Sequence, residues 1–191
     1  MTTREFQFIA GDLALDFVNT VGNRLGAADE YFRTAADVTR WARLAGLLGA
    51  TQSLRLTDPQ LRAITTTRET LYRVFRAVSA SARTSAAMVA SVDALFARVA
   101  PNHRLVIRDG LVRWEWRVPA THPARVLGPV LASACALLVS GTFAMIHECD
   151  GEHCGWLFLD RSRAGRRRWC SMRDCGNRAK ARRHYDAIRR A

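Results

Sequence analysis

Across the 191 residues a long apolar run at the start is missing, and no secretory signal is expected: Met1 to Phe8 mixes charged and polar residues with isolated apolar ones. A cytoplasmic setting is therefore expected, where clustered cysteines hold metal more often than they pair as disulfides. A membrane span is lacking too. The uncharged stretch from Val126 to Ile146 runs for 21 residues, but Gly128-Pro129 interrupts its start and Gly141 its end. Its dense apolar part, Val130 to Val139, is too short to cross a bilayer and reads as a helix buried in a protein core. Cys135 inside it reads as a small buried hydrophobe. There is no internal repeat, no low-complexity segment and no glycine-rich phosphate loop. The five histidines (His103, His122, His147, His153 and His184) are scattered, with no helical metal pair and no nucleophile motif, so no reaction is specified and an enzyme is not expected.

What the first 160 residues lack in net charge, the last 31 supply. Residues 161–191 hold 12 Lys+Arg against 2 Asp+Glu, a net +10 of the chain's +12, whereas residues 1–160 hold 17 against 15. Lys180 is the only lysine in the basic end. Arginine's planar fork of donors suits phosphate oxygens and base edges. A charge of one sign in one short segment points to a polyanionic partner, nucleic acid first.

The apolar periodicity gives a mainly helical first part. Val38, Trp41, Ala42, Ala45 and Leu48 recur at helical spacing, with Gly49 as the expected stop. Thr57-Asp58-Pro59-Gln60 has the form of a helix start, with Leu61, Ile64, Leu71, Phe75 and Val78 on one face of the helix that follows. Ser85 is the expected cap of another, with the stripe Met88, Val92, Leu95, Phe96 and Val99. Residues 104–118 read as a hairpin turning at Asp109-Gly110, with Ile107 opposite Val112 and Leu105 opposite Trp114. The apolar helix of residues 129–140 is expected to cover that hairpin's apolar face. The fold class expected is α+β, with a helix-rich domain over residues 1–146 and a small module over 147–191.

The small module carries Cys149, Cys154, Cys170 and Cys175, two pairs each separated by four residues, with fifteen residues between the pairs. Two close pairs at the ends of a hairpin-sized loop can place four thiolates at tetrahedral corners, the donor set of a structural zinc ion. Such a short segment also buries too little surface to be stable unaided, which a metal cross-link remedies. Four thiolates leave no open position for water, so the zinc would be structural. Trp156 to Asp160 reads as a strand with Arg167 to Cys170 as its partner across a Ser162–Gly165 turn. Ser171 and Asp174 then have the spacing of a capping box ahead of a basic helix. Knuckle, hairpin, then a helix with the last ligand in its first turn is the order of a treble-clef finger.

The run Trp169-Cys170-Ser171-Met172-Arg173-Asp174-Cys175-Gly176-Asn177-Arg178, with Cys149 and Cys154 upstream, resembles the CGNR zinc finger. Gly11-Asp12-Leu13-Ala14-Leu15-Asp16-Phe17-Val18-Asn19-Thr20 resembles the opening of the ABATE domain that accompanies that finger in bacteria. The resemblance spans nearly the whole chain and implies a transcription regulator whose four cysteines ligate zinc.

The nucleic-acid contacts expected from the basic end are Arg166, Arg167 and Arg168 on the turn side and Arg173, Arg178, Lys180, Arg182 and Arg183 on the helix, with double-stranded DNA as the partner. RNA binding by the same surface, or an acidic protein held by a module with purely architectural zinc, are the alternatives. Asp12, Asp16, Asn19 and Arg24 lie close in sequence and are expected to cap helices or form a buried ion pair, with a small-effector pocket lined by Asp16, Asn19 and Arg24 as the alternative. A lone finger covers a short site, so a homodimer is expected.

Overall fold

The computed structural model describes residues 5–81, 84–119 and 121–190. Helix α1 (Leu13–Val18) starts at Asp12, whose carboxylate accepts the Ala14 N–H at 2.8 Å and the Ser133 hydroxyl at 2.8 Å. Strands β1 (Val21–Gly22) and β2 (Asp29–Glu30) pair antiparallel. Helix α2 (Ala35–Leu44) opens on a full capping box between Thr34 and Asp37. It ends at Gly46, three residues earlier than Gly49, because Gly46 takes the left-handed conformation (φ 73°) that closes a helix. Helix α3 (Asp58–Ser81) starts where Gln60 accepts the Thr57 N–H, and α4 (Ala86–Ala97) where Ser85 accepts the Met88 N–H.

Strands β3 (His103–Arg108) and β4 (Leu111–Trp116) form the hairpin in the expected register, Ile107 opposite Val112 and Leu105 opposite Trp114. Its turn uses positive φ at both Asp109 (52°) and Gly110 (75°), the twist that suits a two-residue hairpin loop. Helix α5 (Ala124–Val139) begins well before Pro129, which it carries inside. Gly128-Pro129 therefore does not break the helix. A Cβ at Gly128 would come within 2.4 Å of the Trp116 ring, so the glycine makes room for the indole at the hairpin's base. The remainder of the hairpin's apolar face is not covered by α5, contrary to expectation: Leu105, Ile107, Val112 and Trp114 are 60–74% exposed.

After α5 come β5 (Ile146–Glu148), β6 (Leu157–Leu159), and the last helix α6 (Asn177–Arg190), which follows a wide turn at Met172–Gly176. The α+β class holds, with three separate two-stranded antiparallel pairs among mainly helical elements in the described residues. No helix among the described residues is long and apolar enough to cross a membrane.

The core is centred on Phe17, Phe32 and Trp41, whose rings meet at 5.4–5.9 Å, and on the inner faces of α3 and α5. Ile64, Leu71, Phe75 and Val78 of α3 are buried, as its periodicity requires. Packing continues across the expected boundary at residue 146. Leu157, Phe158 and Leu159 of β6 are buried in the same cluster, and β5 packs on α3.

Candidate metal centre and basic surface

The four cysteines come together from two places. Cys149 and Cys154 flank the loop between β5 and β6, which pair antiparallel with Ile146 opposite Leu159 and Glu148 opposite Leu157. The Cys149 N–H donates to the Trp156 carbonyl at 2.8 Å, carrying the ladder one residue into the knuckle. This corrects the hairpin expected from sequence: the strand at 157–159 pairs with the residues before the knuckle, not with Arg167 to Cys170. The turn at Ser162–Gly165 does form, closed by a Gly165 N–H bond to the Ser162 carbonyl. The ladder beyond it is replaced by the buried Asp160 carboxylate, which accepts the N–H groups of Ser162 and Arg167, both at 2.8 Å. Arg168 instead offers its carbonyl to the Asp150 N–H in the knuckle.

Cys170 and Cys175 lie on either side of the start of the wide turn. Ser171 caps it, accepting the Asp174 N–H at 3.2 Å, and Cys175 sits on the turn immediately ahead of α6. All four thiols are buried, with every Sγ within 4.8 Å of the others. Cys154–Cys170 and Cys170–Cys175 are 3.7 Å apart. Four sulfurs about 2.3 Å from a zinc ion stand about 3.8 Å apart at tetrahedral corners, so the cluster has the dimensions of a four-cysteine zinc site. Backbone donors reinforce it: Gly151 N–H and Cys170 N–H point at Cys149 Sγ at 3.4 and 3.3 Å. The Arg178 guanidinium donates to Cys175 Sγ at 3.1 Å, and that bond raises the Arg178 pKa further. Crowding divides the thiols: hydrogen bonds from Cys154 and then Cys170 draw Cys149 down to about 7, and hydrogen bonds with Cys149 push Cys170 up. Four thiolates this close together would repel one another, and a divalent cation held among them would offset that repulsion.

The eight expected nucleic-acid contacts separate into three groups. Arg167 is turned inward. Its guanidinium donates to the Trp169 and Cys170 carbonyls and stacks on Phe158 at 4.3 Å, so it braces the third ligand. Arg178 is held by Cys175 as described. Arg168 and Arg182 are exposed but paired, Arg168 to Asp150 at 2.6 Å and Arg182 to Glu152. Arg166, Arg173, Lys180 and Arg183 are exposed and have no hydrogen-bond or ion-pair partner among the described residues. Knuckle and helix enclose a cleft lined by Asp150, Glu152, Arg168, Arg178, Arg182 and Arg183. Asp150 and Glu152 are the residues of this cleft that charge counting passes over, although both lie inside the Cys149–Cys154 spacing.

Helix α6 packs on the turn carrying Cys175 more than on any other element, and every side chain from Lys180 to Arg189 is exposed. Residues 177–190 hold six Lys+Arg and one Asp, a net +5.

Asp16, Asn19 and Arg24 do not converge on one pocket. Asp16 accepts the Ala10 N–H at 2.9 Å, and burial pushes its carboxyl up to about 6 in spite of the backbone donors at Ala10 and Ile9. Asn19 copies a strand neighbour: its amide donates to the Leu157 carbonyl at 2.8 Å and accepts the Leu157 N–H at 2.9 Å, which docks β6 on α1. Arg24 forks onto Glu69 at 2.8 and 3.2 Å, donates to the Val18 carbonyl and lies over the Tyr72 ring at 3.9 Å. It alone of the three lines an open groove with Glu30, Arg68, Glu69, Tyr72 and Arg73. Its backbone N–H bonds the Cys154 carbonyl at 3.1 Å, and Tyr72 donates to the Gly155 carbonyl at 2.9 Å. Asn19→Leu is expected to destabilise the chain by about 2–4 kcal/mol, since it leaves a buried N–H and a buried carbonyl of Leu157 without partners. A urea titration followed by circular dichroism measures it, and an unchanged midpoint would show that the amide pair contributes nothing.

Residues 11–141 match the ABATE family model, described as "Putative stress-induced transcription regulator". Residues 145–187 match the CGNR zinc finger. No curated protein matches the chain.

Proposed function

The chain belongs to the ABATE family and ends in a CGNR zinc finger, and from that premise we propose that this zinc-binding regulator acts on transcription by setting α6 against duplex DNA, as a homodimer. The observation that carries the reading is the exposure of α6: a helix of net +5, anchored at one end by the metal centre and unburied from Lys180 to Arg189. At about 21 Å long it suits the major groove, which is about 12 Å wide and admits one helix. Zinc held by four thiolates acts as a cross-link that ties the start of α6 to the knuckle. The residues around it fix the helix's direction: Ser171 caps the turn, Arg167 grips the carbonyls of Trp169 and Cys170, and Arg178 bridges the helix to Cys175.

Four unpaired cations, Arg166, Arg173, Lys180 and Arg183, are the phosphate contacts the reading relies on. Arg168 and Arg182 reach DNA only by leaving Asp150 and Glu152. Exposed ion pairs of this kind are weak and exchange partners readily, but their carboxylates repel phosphate at close range. Asp150→Asn/Glu152→Gln is therefore expected to tighten DNA binding about 10-fold at 0.1 M salt and to steepen its salt dependence by up to about 1.8. Weaker binding by that variant would show that the two acids help to shape the interface. The effector-responsive part of this reading is the groove at Arg24, Glu69 and Tyr72, because Arg24 and Tyr72 also hold the knuckle at Cys154 and Gly155.

Fluorescence anisotropy of the zinc-loaded full chain on duplex DNA and on a hairpin RNA of the same length, at matched salt, tests the proposal. Tighter binding to DNA is expected. A preference for RNA would replace the reading with RNA recognition, and binding to neither would remove nucleic acid from the account.

A further inference from the structure

We propose that two copies of the chain associate through the apolar face of the β3–β4 hairpin, packed face to face about a two-fold axis. The register places His103, Leu105, Ile107, Val112, Trp114 and Trp116 on one face of the pair. His103 stacks on Trp114 and Trp116 with ring centroids 4.3 and 4.2 Å away, so three rings join at the base of that face. At that base the face meets the body, where Trp116 seats against Gly128. Towards the tip, Leu105, Ile107, Val112 and Trp114 stand 60, 74, 67 and 62% exposed. A two-stranded ribbon with its apolar side in water is marginal on its own and needs a covering layer.

The chemistry of the two faces selects a second copy as that layer. An isologous contact brings a surface against itself, so the surface must tolerate its own image. The apolar face carries no carboxylate, arginine or lysine and meets this condition. The opposite face carries Arg104, Arg108 and Arg113 against Glu115 alone, and would repel its image. The area is also sufficient: four large side chains at these exposures cover roughly 500 Å² per copy and about 1,000 Å² in a pair, the lower limit for a specific interface. Contacts at this lower limit are mostly weak and transient, and a Kd on the order of 10 µM is expected.

This face supplies the contact for the homodimer in the proposed function, and to that extent it rests on that reading. It is tested without nucleic acid, so its failure and the failure of DNA recognition are separate results. In sedimentation equilibrium of the zinc-loaded full chain, the mass should rise from 21.3 kDa towards twice that value as concentration passes the expected Kd. Ile107→Glu/Val112→Glu should weaken association at least about 30-fold, the cost of like charges facing across an apolar contact, with zinc content and circular dichroism unchanged. Ile107→Lys/Val112→Lys should do the same alone, and an equal mixture of the two variants should restore the doubled mass. A wild-type chain that stays at the single-chain mass well above that concentration overturns the proposal, including when the same face is found to bind lipid vesicles. So does a mixture of the charge-reversed variants that remains at single-chain mass.

Discussion

Replacing Cys175 with serine is expected to release the zinc, abolish nucleic-acid binding and lower the stability of the whole chain by about 3–5 kcal/mol, the size of effect seen when one partner of a buried charge cluster is removed. Cys175 would join the metal to α6, which has no comparable packing elsewhere among the described residues. Without it, the Arg178 guanidinium loses its acceptor at 3.1 Å and three buried thiols remain with no common partner. The loss should not stay local. β6 lies in the same buried cluster as α1 and α3, and its neighbours Trp156 and Gly155 bond directly to Val21 and Tyr72. For a cooperative unit of this length, a loss of that size lowers Tm by roughly 10 °C. Chelation of the wild-type chain should reproduce the shift. A thermal transition monitored at the helices that stays in place while zinc is lost would mean that the finger melts independently of the rest.

Arg166→Gln/Arg173→Gln/Lys180→Gln/Arg183→Gln is expected to weaken duplex binding about 10³-fold at 0.1 M salt and to make the slope of log affinity against log salt shallower by about 3.6, since each lost phosphate contact removes about 0.9 from that slope. Fold and zinc content should be unaffected, because the four side chains are exposed and bond to nothing among the described residues. The corresponding Arg167→Gln variant is expected to behave differently. It removes donors to the Trp169 and Cys170 carbonyls and a contact with Phe158, so it should reduce stability and leave the salt slope nearly unchanged. If both variants altered the slope equally, the division between bracing and contacting arginines would be wrong.

That division shows where sequence reading reached and where it stopped. Spacing alone placed the four cysteines around one point, because the chemistry of a thiolate site depends on few residues close in sequence. Asp109-Gly110 set the hairpin register for the same reason: a two-residue turn admits one pairing. Charge counting found the basic end but not the direction of each guanidinium. Arg167 and Arg178 point inward because carbonyls and a sulfur lie within reach, and those acceptors are placed by tertiary packing. The partner of β6 was hidden because β5 is only three residues long and starts at the last residue of an uncharged stretch whose dense apolar part reads as helix, so it leaves no alternation of its own. Asn19 gave no signal of its dock on Leu157, 138 positions away, since a side-chain amide standing in for a strand leaves no periodicity. The early stop of α2 at Gly46, and the passage of α5 through Gly128-Pro129, each turned on a glycine whose role depends on its φ or on its neighbour.

A zinc-anchored basic helix that grips duplex DNA through its free cations must lose that grip when either salt or chelator is raised. The most direct measurement is the duplex affinity of the full chain from 50 to 200 mM salt, with zinc bound and after chelation. With zinc, affinity should fall about 10²-fold or more over that range, a slope of about −3.6 or steeper; after chelation, specific binding should vanish. An affinity indifferent to both salt and metal would contradict this role for the helix.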